Sequence, residues 1–276
     1  MANENNSQQS PKVALVTGVS SGIGQEIAQR LTERGWQVFG TVRNLNEAKA
    51  LAGVKLVRLD VTDLASVNQA IQTVLQASGR IDALVNNAGY ALMGALEETS
   101  IEEAQQQFET NFFGIMRMTQ AVLPTMRQQQ AGRIVNISSV LGFLPAPYMG
   151  VYSASKHAVE GYTETLDHEV RRFGIRALLV EPGYTRTAFG TKAKTTAVAL
   201  AAYANERQRA AAAMQSQVDK AAGPAAVATA VYTALTSPRP SLRYPVGQGV
   251  TLSWLRRLAP AQLLDRGLRS QFQLEG

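Results

Sequence analysis

Tyr152 and Lys156 are four residues apart, a spacing that places two side chains on one face of a helix. A lysine cation beside a tyrosine stabilises the tyrosinate and lowers the tyrosine pKa from its reference value of about 10. A tyrosine with such a pKa can donate a proton to a ketone or take one from an alcohol. An ordinary surface pair would show the same spacing, so the interpretation depends on other residues.

Two polar positions precede this pair. Ser139 follows an apolar run at 133–138, and its hydroxyl could hold a substrate oxygen beside Tyr152, with Ser138 behind it. A serine pair at a strand end could equally cap a turn. Asn111 interrupts a helical stretch in which asparagine is a poor helix former, and it could also be a tolerated surface residue.

A glycine-rich run joins a short apolar stretch at 12–17 to a helical pattern, and it reads Thr17-Gly18-Val19-Ser20-Ser21-Gly22-Ile23-Gly24. Glycines let the backbone turn sharply and approach a pyrophosphate, while free N–H groups at a helix N-terminus favour an anion. The flanking strand and helix are the context that a dinucleotide-binding loop needs. The alternative is a tight turn that only packs helix against strand.

Strand-like and helix-like patterns alternate along the chain. Strands are predicted at 12–17, 37–42, 54–60, 81–86, 133–138 and 175–181, with 243–246 as a candidate seventh. Helices are predicted at 63–77 with Asp63 as N-cap, at 101–126 and at 150–172. This alternation predicts an α/β fold, a doubly wound parallel sheet of about seven strands with helices on both faces.

Composition excludes several classes of function. The chain has no cysteine, so disulfides, thiolate nucleophiles and cysteine-ligated zinc are excluded. His157 and His168 have no partners at ligand spacing, and we expect no metal. The net charge is +6, but the basic residues are scattered, so we expect no nucleic-acid partner. The polar N-terminus is not a signal peptide, and a cytoplasmic location is expected.

The domain organisation is predicted to be simple. Residues 1–11 are expected to be a disordered tail and 12–276 one domain, since no internal break in composition occurs. An alanine-rich stretch within 188–222 is expected to be a helical lid on the ligand side of the sheet. Residues 250–276 form a basic, helical extension, for which a solvated, subunit-packing tail is favoured over docking to an acidic membrane surface.

Taken together, these motifs resemble those of the classical short-chain dehydrogenases/reductases. The glycine run has the TGxxxGIG form, Asn86-Asn87-Ala88-Gly89 matches NNAG, and Tyr152 to Lys156 matches YxxxK, with Ser139 thirteen residues upstream. Asn111 lies between the second and third motifs. The resemblance covers about 12–187 and implies a single-domain Rossmann-like fold with a nicotinamide dinucleotide cofactor.

The resemblance also implies roles for individual residues. Nicotinamide C4 would deliver hydride to a carbonyl carbon, Tyr152 would protonate the oxygen, and Ser139 would orient it. Lys156 would hold the ribose hydroxyls and depress the tyrosine pKa, and Asn111 would complete a proton relay by holding a water near Lys156. A non-catalytic, cofactor-sensing regulator on the same fold is the alternative, although all four catalytic positions are filled.

Cofactor contacts follow from the same resemblance. Besides Tyr152 and Lys156, they are Gly18, Ser20, Ser21, Gly22, Ile23, Gly24, Arg43, Asp60, Val61, Asn87, Ala88, Gly89, Pro182, Gly183, Thr185 and Thr187. Asp60 and Val61 would contact the adenine, and Thr185 and Thr187 the carboxamide. Thr185 replaces the family's usual aliphatic residue.

Cofactor preference depends on the end of the second strand. NAD-preferring proteins usually place an acidic residue there, to bond the adenosine ribose hydroxyls. Here Val42 ends the strand, Arg43 follows, and Glu47 is the nearest acid. An arginine can form charge-assisted bonds to a 2′-phosphate, which favours NADP(H). The glycine loop lacks the second basic residue of some NADP-binding members, and an NAD-dependent alcohol or hydroxysteroid dehydrogenase remains an alternative.

Aromatic and aliphatic residues in loops on the ligand side are candidates for the substrate pocket. They are Tyr90, Leu92, Leu141, Phe143, Tyr148, Tyr184 and Phe189. With no clear cation or carboxylate among them, the substrate is expected to be a hydrophobic ketone, aldehyde or secondary alcohol. Stretches such as VFGTVRN resemble the 17β-hydroxysteroid-dehydrogenase-like branch, without establishing a steroid substrate.

A homodimer or homotetramer is expected, because family members commonly pair the two long helices. In this chain those are the helices predicted at 101–126 and 150–172. The first carries apolar residues suited to core or interface packing, namely Phe112, Ile115, Met116, Met118 and Val122.

Overall fold

The structure is a computed structural model that describes residues 10–187, 189 and 193–274. Within these ranges the main sheet has seven strands in the order β3-β2-β1-β4-β6-β7-β9, and every pairing in it is parallel. The strands are β1 (Val13–Val16), β2 (Gln37–Val42), β3 (Val54–Arg58), β4 (Ala83–Asn86), β6 (Gly132–Ile137), β7 (Ile175–Pro182) and β9 (Arg243–Val246). The predicted sheet and its candidate seventh strand are confirmed.

Helices cover both faces of this sheet. The helices are α1 (Gly22–Glu33), α2 (Leu64–Ser78), α3 (Ile101–Phe108), α4 (Gly114–Gln129), α5 (Gly150–Val170), α6 (Ala204–Lys220), α7 (Ala225–Thr236), α8 (Gln248–Leu258) and α9 (Ala261–Phe272). One core cluster holds Ile27 of α1 and Val231 of α7, whereas the opposite cluster holds Val67, Met118 and Leu166 of α2, α4 and α5. Central strands are buried on both sides, which explains their uninterrupted apolar sequences.

The topology fixes where a ligand can enter. Strands β2 and β3 lie on one side of β1, whereas β4 and the later strands lie on the other side. The direction in which successive strands are added therefore reverses between β1 and β4. In doubly wound sheets the crevice outside the carboxyl ends of the strands at this reversal is the ligand site. The loops that carry the glycine run, the NNAG match and Ser139 all leave the sheet at this edge.

The long helix predicted at 101–126 contains a distortion. A π-helical turn spans Glu109–Phe113 between α3 and α4, and Asn111 is at its centre. A π turn inserts one extra residue into the helical repeat and is frequent at functional sites. Two helices begin where the sequence predicted. Asp63 caps the N-terminus of α2 by accepting from the Ala65 N–H at 2.9 Å, and Ser100 and Glu103 form a capping box at the N-terminus of α3.

The predicted lid and C-terminal extension both fold over the ligand edge. A two-residue ribbon pairs β5 (Leu92–Met93) with β8 (Lys194–Thr195), and α6 follows. Helix α9 packs against α6, and Phe272 is only 2% exposed. Most of α9 is exposed, including Leu263 at 59%, while Phe272 is buried within the molecule. Packing of this segment between subunits stays a prediction. Positions 1–9, 188, 190–192 and 275–276 of the predicted tail, lid and extension lie outside the described residues.

A buried carboxylate fixes α5 against β7. Asp167 is fully buried and accepts hydrogen bonds from the Arg176 Nε at 2.7 Å and from the Ala177 N–H at 3.0 Å. Because α5 carries Tyr152 and Lys156, this attachment helps to set their position relative to the sheet. No helix of the described chain is long and apolar enough to cross a membrane.

Candidate active site

A cavity of about 900 Å³ lies at the carboxyl edge of the sheet. It extends from Arg43 and Asp60 at one end to side chains of α6 and α9 at the other. Most of the predicted site residues line it, namely Gly18, Ser20, Ser21, Gly22, Ile23, Arg43, Asp60, Val61, Asn87, Ala88, Gly89, Tyr90, Asn111, Ser139, Leu141, Tyr152, Lys156, Pro182, Gly183, Tyr184, Thr185, Thr187 and Phe189.

The glycine loop is tied to the end of β4. Thr17 Oγ1 accepts from the backbone N–H groups of Asn87 at 2.9 Å and of Ala88 at 3.0 Å. The Asn87 side-chain amide donates to the Gly18 carbonyl at 3.0 Å. Gly18 has φ of 72°, and a Cβ there would lie 3.0 Å from the Ala88 Cα. The two motifs therefore form one surface that needs glycine at its closest approach.

The last glycine of the loop has a packing role. Gly24 does not line the cavity, and its contact with the cofactor stays a prediction. A Cβ on Gly24 would lie 2.3 Å from the Gly18 carbonyl oxygen and 2.4 Å from Asn87 Nδ2. The first turn of α1 can approach the loop only because this side chain is absent. Pro182–Thr187 reaches the same loop, since a Cβ on Gly22 would lie 3.3 Å from the Thr187 Cβ.

The far end of the cavity holds Arg43 beside Asp60. Arg43 is exposed and lines the cavity directly after β2. Burial would raise the pKa of Asp60, but hydrogen bonds from Thr62 and the charges of Arg43 and Arg117 hold it below its usual value. Glu47 accepts from the Asn44 amide at 2.5 Å and is not part of the lining. Arg43 is the cationic side chain in this part of the lining that an added negative charge could approach.

Tyr152 and Lys156 are both buried at the start of α5, each 7% exposed. The Lys156 Nζ donates to the Ile137 carbonyl oxygen at 2.8 Å and lies 5.7 Å from the centroid of the Tyr152 ring. Burial lowers the pKa of Lys156 to about 8, and the Glu160 charge opposes this shift. Burial raises the pKa of Tyr152 to about 12, opposed by a hydrogen bond with the Ser139 side chain.

The tyrosine pKa therefore moves in the direction opposite to the one we expected. The sequence predicted that the lysine would lower it, but desolvation of the tyrosinate dominates in this buried position. Lys156 is bonded to a main-chain carbonyl, and its own charge is also penalised by burial. At neutral pH the Tyr152 hydroxyl is consequently protonated and neutral.

Asn111 connects the π turn to α5 and to the loop after β4. Its Nδ2 donates to the Tyr90 carbonyl at 2.9 Å and to Ser155 Oγ at 3.3 Å, while its Oδ1 accepts from the Tyr90 N–H at 3.1 Å. A Cβ on Gly89 would lie 3.0 Å from Asn111 Oδ1. The side chain is fully buried, so the surface-residue alternative was wrong.

Sequence reasoning missed a group of buried charges behind the site. The Ser138 hydroxyl donates to Glu160, and Arg243 of β9 bonds to both Glu160 and Glu181. Burial, together with the neighbouring Glu160 charge, raises the pKa of Glu181 to about 8. The sequence signals were Glu181 at the end of an apolar strand and Glu160 one helical turn after Lys156.

The substrate end of the cavity differs in part from the prediction. Leu92, Phe143 and Tyr148 are not in its lining. Leu92 is buried in the β5–β8 ribbon, Phe143 ends the short 3₁₀ turn 140–142, and the Tyr148 hydroxyl donates to Glu206 at 3.2 Å. The lining instead contains residues from α6, α8, α9 and nearby loops, namely Met93, Ala146, Met149, Ala211, Met214, Gln215, Val218, Leu252, Leu268, Gln271 and Phe272.

A cation also lines this region, contrary to expectation. Lys194 of β8 is exposed and lies over the Tyr90 ring, with its Nζ 4.7 Å from the ring centroid. Its residue type was visible in the sequence, but nothing local showed that the ribbon with β5 would bring it to the cavity. In the chain as described, no group of three or more histidine, aspartate and glutamate side chains could hold a metal ion.

Comparison with known proteins identifies the family. The profile described as short chain dehydrogenase matches residues 12–198. A 3-ketodihydrosphingosine reductase of Bacteroides thetaiotaomicron is 48% identical over 179 residues, 65% of this chain and 66% of that protein, so the match spans just under two thirds of the relative. An NADPH-dependent 3-dehydrocapnine reductase of Ornithobacterium rhinotracheale is 36% identical over 67% of this chain and 69% of that protein.

Solved structures that resemble this chain belong to the same family. A short-chain dehydrogenase from Streptomyces avermitilis is 37% identical, with a TM-score of 0.81 over 94% of this chain and 98% of that one. A family structure from Burkholderia phymatum in complex with NAD has a TM-score of 0.77 at 26% identity, with 96% of each chain covered. One from Burkholderia cenocepacia in complex with NADP has a TM-score of 0.75 at 26% identity, covering 94% and 98%.

The fold, the glycine loop and the buried tyrosine define an oxidoreductase that acts on CH–OH or C=O groups. The chain belongs to the short-chain dehydrogenase/reductase family. The resemblance drawn from the motifs is confirmed, and with it the prediction of an enzyme.

Proposed function

We propose that this protein reduces hydrophobic ketones or aldehydes with NADPH, using Tyr152 as the proton donor. The observation that carries the proposal is a neutral, buried tyrosine in hydrogen-bond contact with Ser139, in a cavity whose substrate end is mostly apolar. A tyrosine whose pKa is about 12 gives up its proton only to a strongly basic oxygen, such as the alkoxide that forms during carbonyl reduction.

The residues present fit a nicotinamide dinucleotide. Gly18 and Gly22 have φ of 72° and 63°, and they leave a cradle at the N-terminus of α1 that side chains would fill. The free N–H groups there favour a pyrophosphate. Asp60 and Val61 would hold the adenine end, Asn87, Ala88 and Gly89 the ribose side, and Pro182–Thr187 the nicotinamide end. When bound, the cofactor would supply a hydride to the carbonyl carbon.

The side chains around Tyr152 would then manage the proton. Ser139 and Tyr152 would hold the carbonyl oxygen between their hydroxyls, so that negative charge develops next to two donors. Tyr152 would donate its proton, and the Lys156 ammonium would stabilise the tyrosinate that remains. Lys156 is held for this role by the Ile137 carbonyl, and Asn111 positions α5 through Ser155.

Replacement of Tyr152 by Phe tests the proton donor. Tyr152→Phe should lower kcat for ketone reduction by about 100- to 10,000-fold, because it removes the transferable proton and little else. NADPH affinity, measured by fluorescence titration, should stay close to wild type. Tyr148→Phe is the matched control, since that hydroxyl donates to Glu206 outside the cavity. Substantial turnover by Tyr152→Phe would refute the mechanism.

The pH dependence of activity tests the role of Lys156. Its pKa of about 8 means that the ammonium is present below that pH and is lost above it, so reduction should slow as pH rises through 8. Glu160 opposes the loss of that charge, and Glu160→Gln should therefore move the decline to lower pH. Glu164→Gln is the control, because Glu164 also bonds Arg243 but is more exposed. An unchanged profile in Glu160→Gln, or a shift to higher pH, would contradict this role.

Cofactor preference is tested at Arg43. A charge-assisted bond to a 2′-phosphate is worth roughly 1.5–3 kcal/mol, so Arg43→Ala should weaken NADPH binding about ten- to a hundredfold. NADH has no such phosphate, and its Kd should hardly change. Arg58→Ala is the control, since Arg58 is exposed on the neighbouring strand but does not line the cavity. Equal losses for both cofactors, or wild-type preference for NADH, would overturn the assignment.

We still predict a homo-oligomer paired through α4 and α5, but different residues of these helices now support it. Ile115, Met118 and Val122 are buried in the core of the subunit and cannot form an interface. The surface instead carries a cluster of aromatic rings: Phe112 lies 5.4 Å from Phe113 and 5.9 Å from Tyr162 of α5, measured between centroids, and Phe113 is 41% exposed. Such a patch is suited to pairing with a second copy.

Analytical ultracentrifugation at micromolar concentration tests this pairing. The wild type should sediment as a dimer or tetramer, and Phe113→Glu should shift it toward monomer by placing a charge in the aromatic cluster. Leu64→Glu is the matched control, because Leu64 is an exposed apolar residue on α2, 58% exposed. A monomeric wild type would refute the prediction, as would a Phe113→Glu variant that keeps the wild-type assembly.

A further inference from the structure

The outer side of α8 carries a stripe of exposed apolar side chains. Val250, Trp254 and Leu258 follow one another at four-residue spacing and are 46%, 61% and 76% exposed. Leu255, beside them, is 42% exposed. Residues four apart lie on the same face of a helix, so these four side chains form one surface, called the α8 stripe below. Nothing in the proposed chemistry uses it.

Exposed arginines accompany the α8 stripe. By the helical repeat, Arg257 lies at the edge of this stripe next to Val250, whereas Arg256 lies on the opposite side of α8. Arg266 is exposed on α9. Residues 248–274 contain four arginines and one acidic residue, Asp265. A helix with tryptophan and leucine on one side and arginine beside them has the composition of an interfacial helix, which lies in the plane of an anionic lipid surface.

The same helices line the substrate cavity on their inner side. Leu252 of α8 and Leu268 and Phe272 of α9 belong to the cavity lining. The sequence favoured a solvated, subunit-packing tail for this segment, but the structure distinguishes two sides of it. One is packed over the cavity and the other leaves a large tryptophan and leucines exposed to solvent. The α8 stripe therefore lies on a helix that forms part of the cavity wall.

We propose that the α8 stripe docks this enzyme on the surface of a bilayer that contains anionic lipid. Trp254, Leu255 and Leu258 would enter the boundary between headgroups and acyl chains, and Arg257 would contact a lipid phosphate. Docking would bring the cavity wall against the phase in which hydrophobic carbonyl compounds dissolve. A second copy of the chain fits the stripe less well, because a two-fold contact would bring arginines of one copy toward those of the other.

Tryptophan fluorescence gives a direct measurement on the full-length protein. The chain has two tryptophans, of which Trp36 is 8% exposed and Trp254 is 61% exposed. Vesicles of equal parts phosphatidylglycerol and phosphatidylcholine should shift the emission to the blue and should sediment with the protein. Pure phosphatidylcholine vesicles should bind it at least about tenfold more weakly, since each arginine near an anionic surface contributes about fivefold.

Variants separate the stripe from the rest of the surface. Trp254→Ser combined with Leu258→Ser should abolish co-sedimentation, and Arg257→Gln should reduce it about fivefold. Leu64→Ser is the control, because Leu64 is 58% exposed on α2, and it should bind vesicles like wild type. Turnover of a small, water-soluble ketone should be unchanged in all three, so a failure of docking is distinguishable from a failure of the proposed chemistry.

Three results would overturn the proposal. One is no blue shift and no co-sedimentation of the wild type with the anionic vesicles. Another is equal binding of wild type and the Trp254→Ser, Leu258→Ser variant. The third is a fall in sedimentation coefficient of that variant in the absence of lipid, which would assign the α8 stripe to a contact between copies of the chain.

Discussion

The hydrogen bond from the Lys156 ammonium to the Ile137 carbonyl, 2.8 Å long, joins the helix that carries the reactive tyrosine to the end of a central strand. A buried ammonium needs such a partner, because an unsatisfied charge in a low-dielectric interior would be costly. The bond leaves Lys156 close to Tyr152 and away from bulk water. The rest of the site is arranged around this fixed charge, with the glycine loop and the Pro182–Thr187 segment on one side and the apolar cavity on the other.

Burial has opposite effects on the two groups it encloses. The pKa of Lys156 falls to about 8 and that of Tyr152 rises to about 12, since each loses the hydration of its charged form. At neutral pH both are protonated, which is the state suited to giving a proton to a reduced carbonyl oxygen. Glu160, Glu181 and Arg243 form a second layer of buried charge, which acts on Lys156 through Glu160 and ties β9 to the core.

Strand β9 leads directly into α8 and α9, so the attachment of Arg243 also anchors the part of the chain that closes the cavity. The substrate end is thus built from residues distant in sequence from the tyrosine: the β5–β8 ribbon, α6 and the last helix. The lining residues of α6 and α9, Lys194 and the exposed α8 stripe all belong to this later part of the chain.

The sequence by itself determined the order of strands and helices, the glycine cradle and the Tyr152–Lys156 pair. These depend on local periodicity, on turns that only glycine permits and on a spacing within one helix. Only the tertiary structure decided in which direction the pKa of Tyr152 shifts. The segments that bury this side chain are distant in sequence, and no local pattern brings them together. The tertiary structure also decided the charge cluster, in which Arg243 meets Glu160 across 83 residues. Long-range packing also leaves Leu92, Phe143 and Tyr148 out of the cavity lining and brings in side chains of α9, which the sequence predicted only as part of a helical extension.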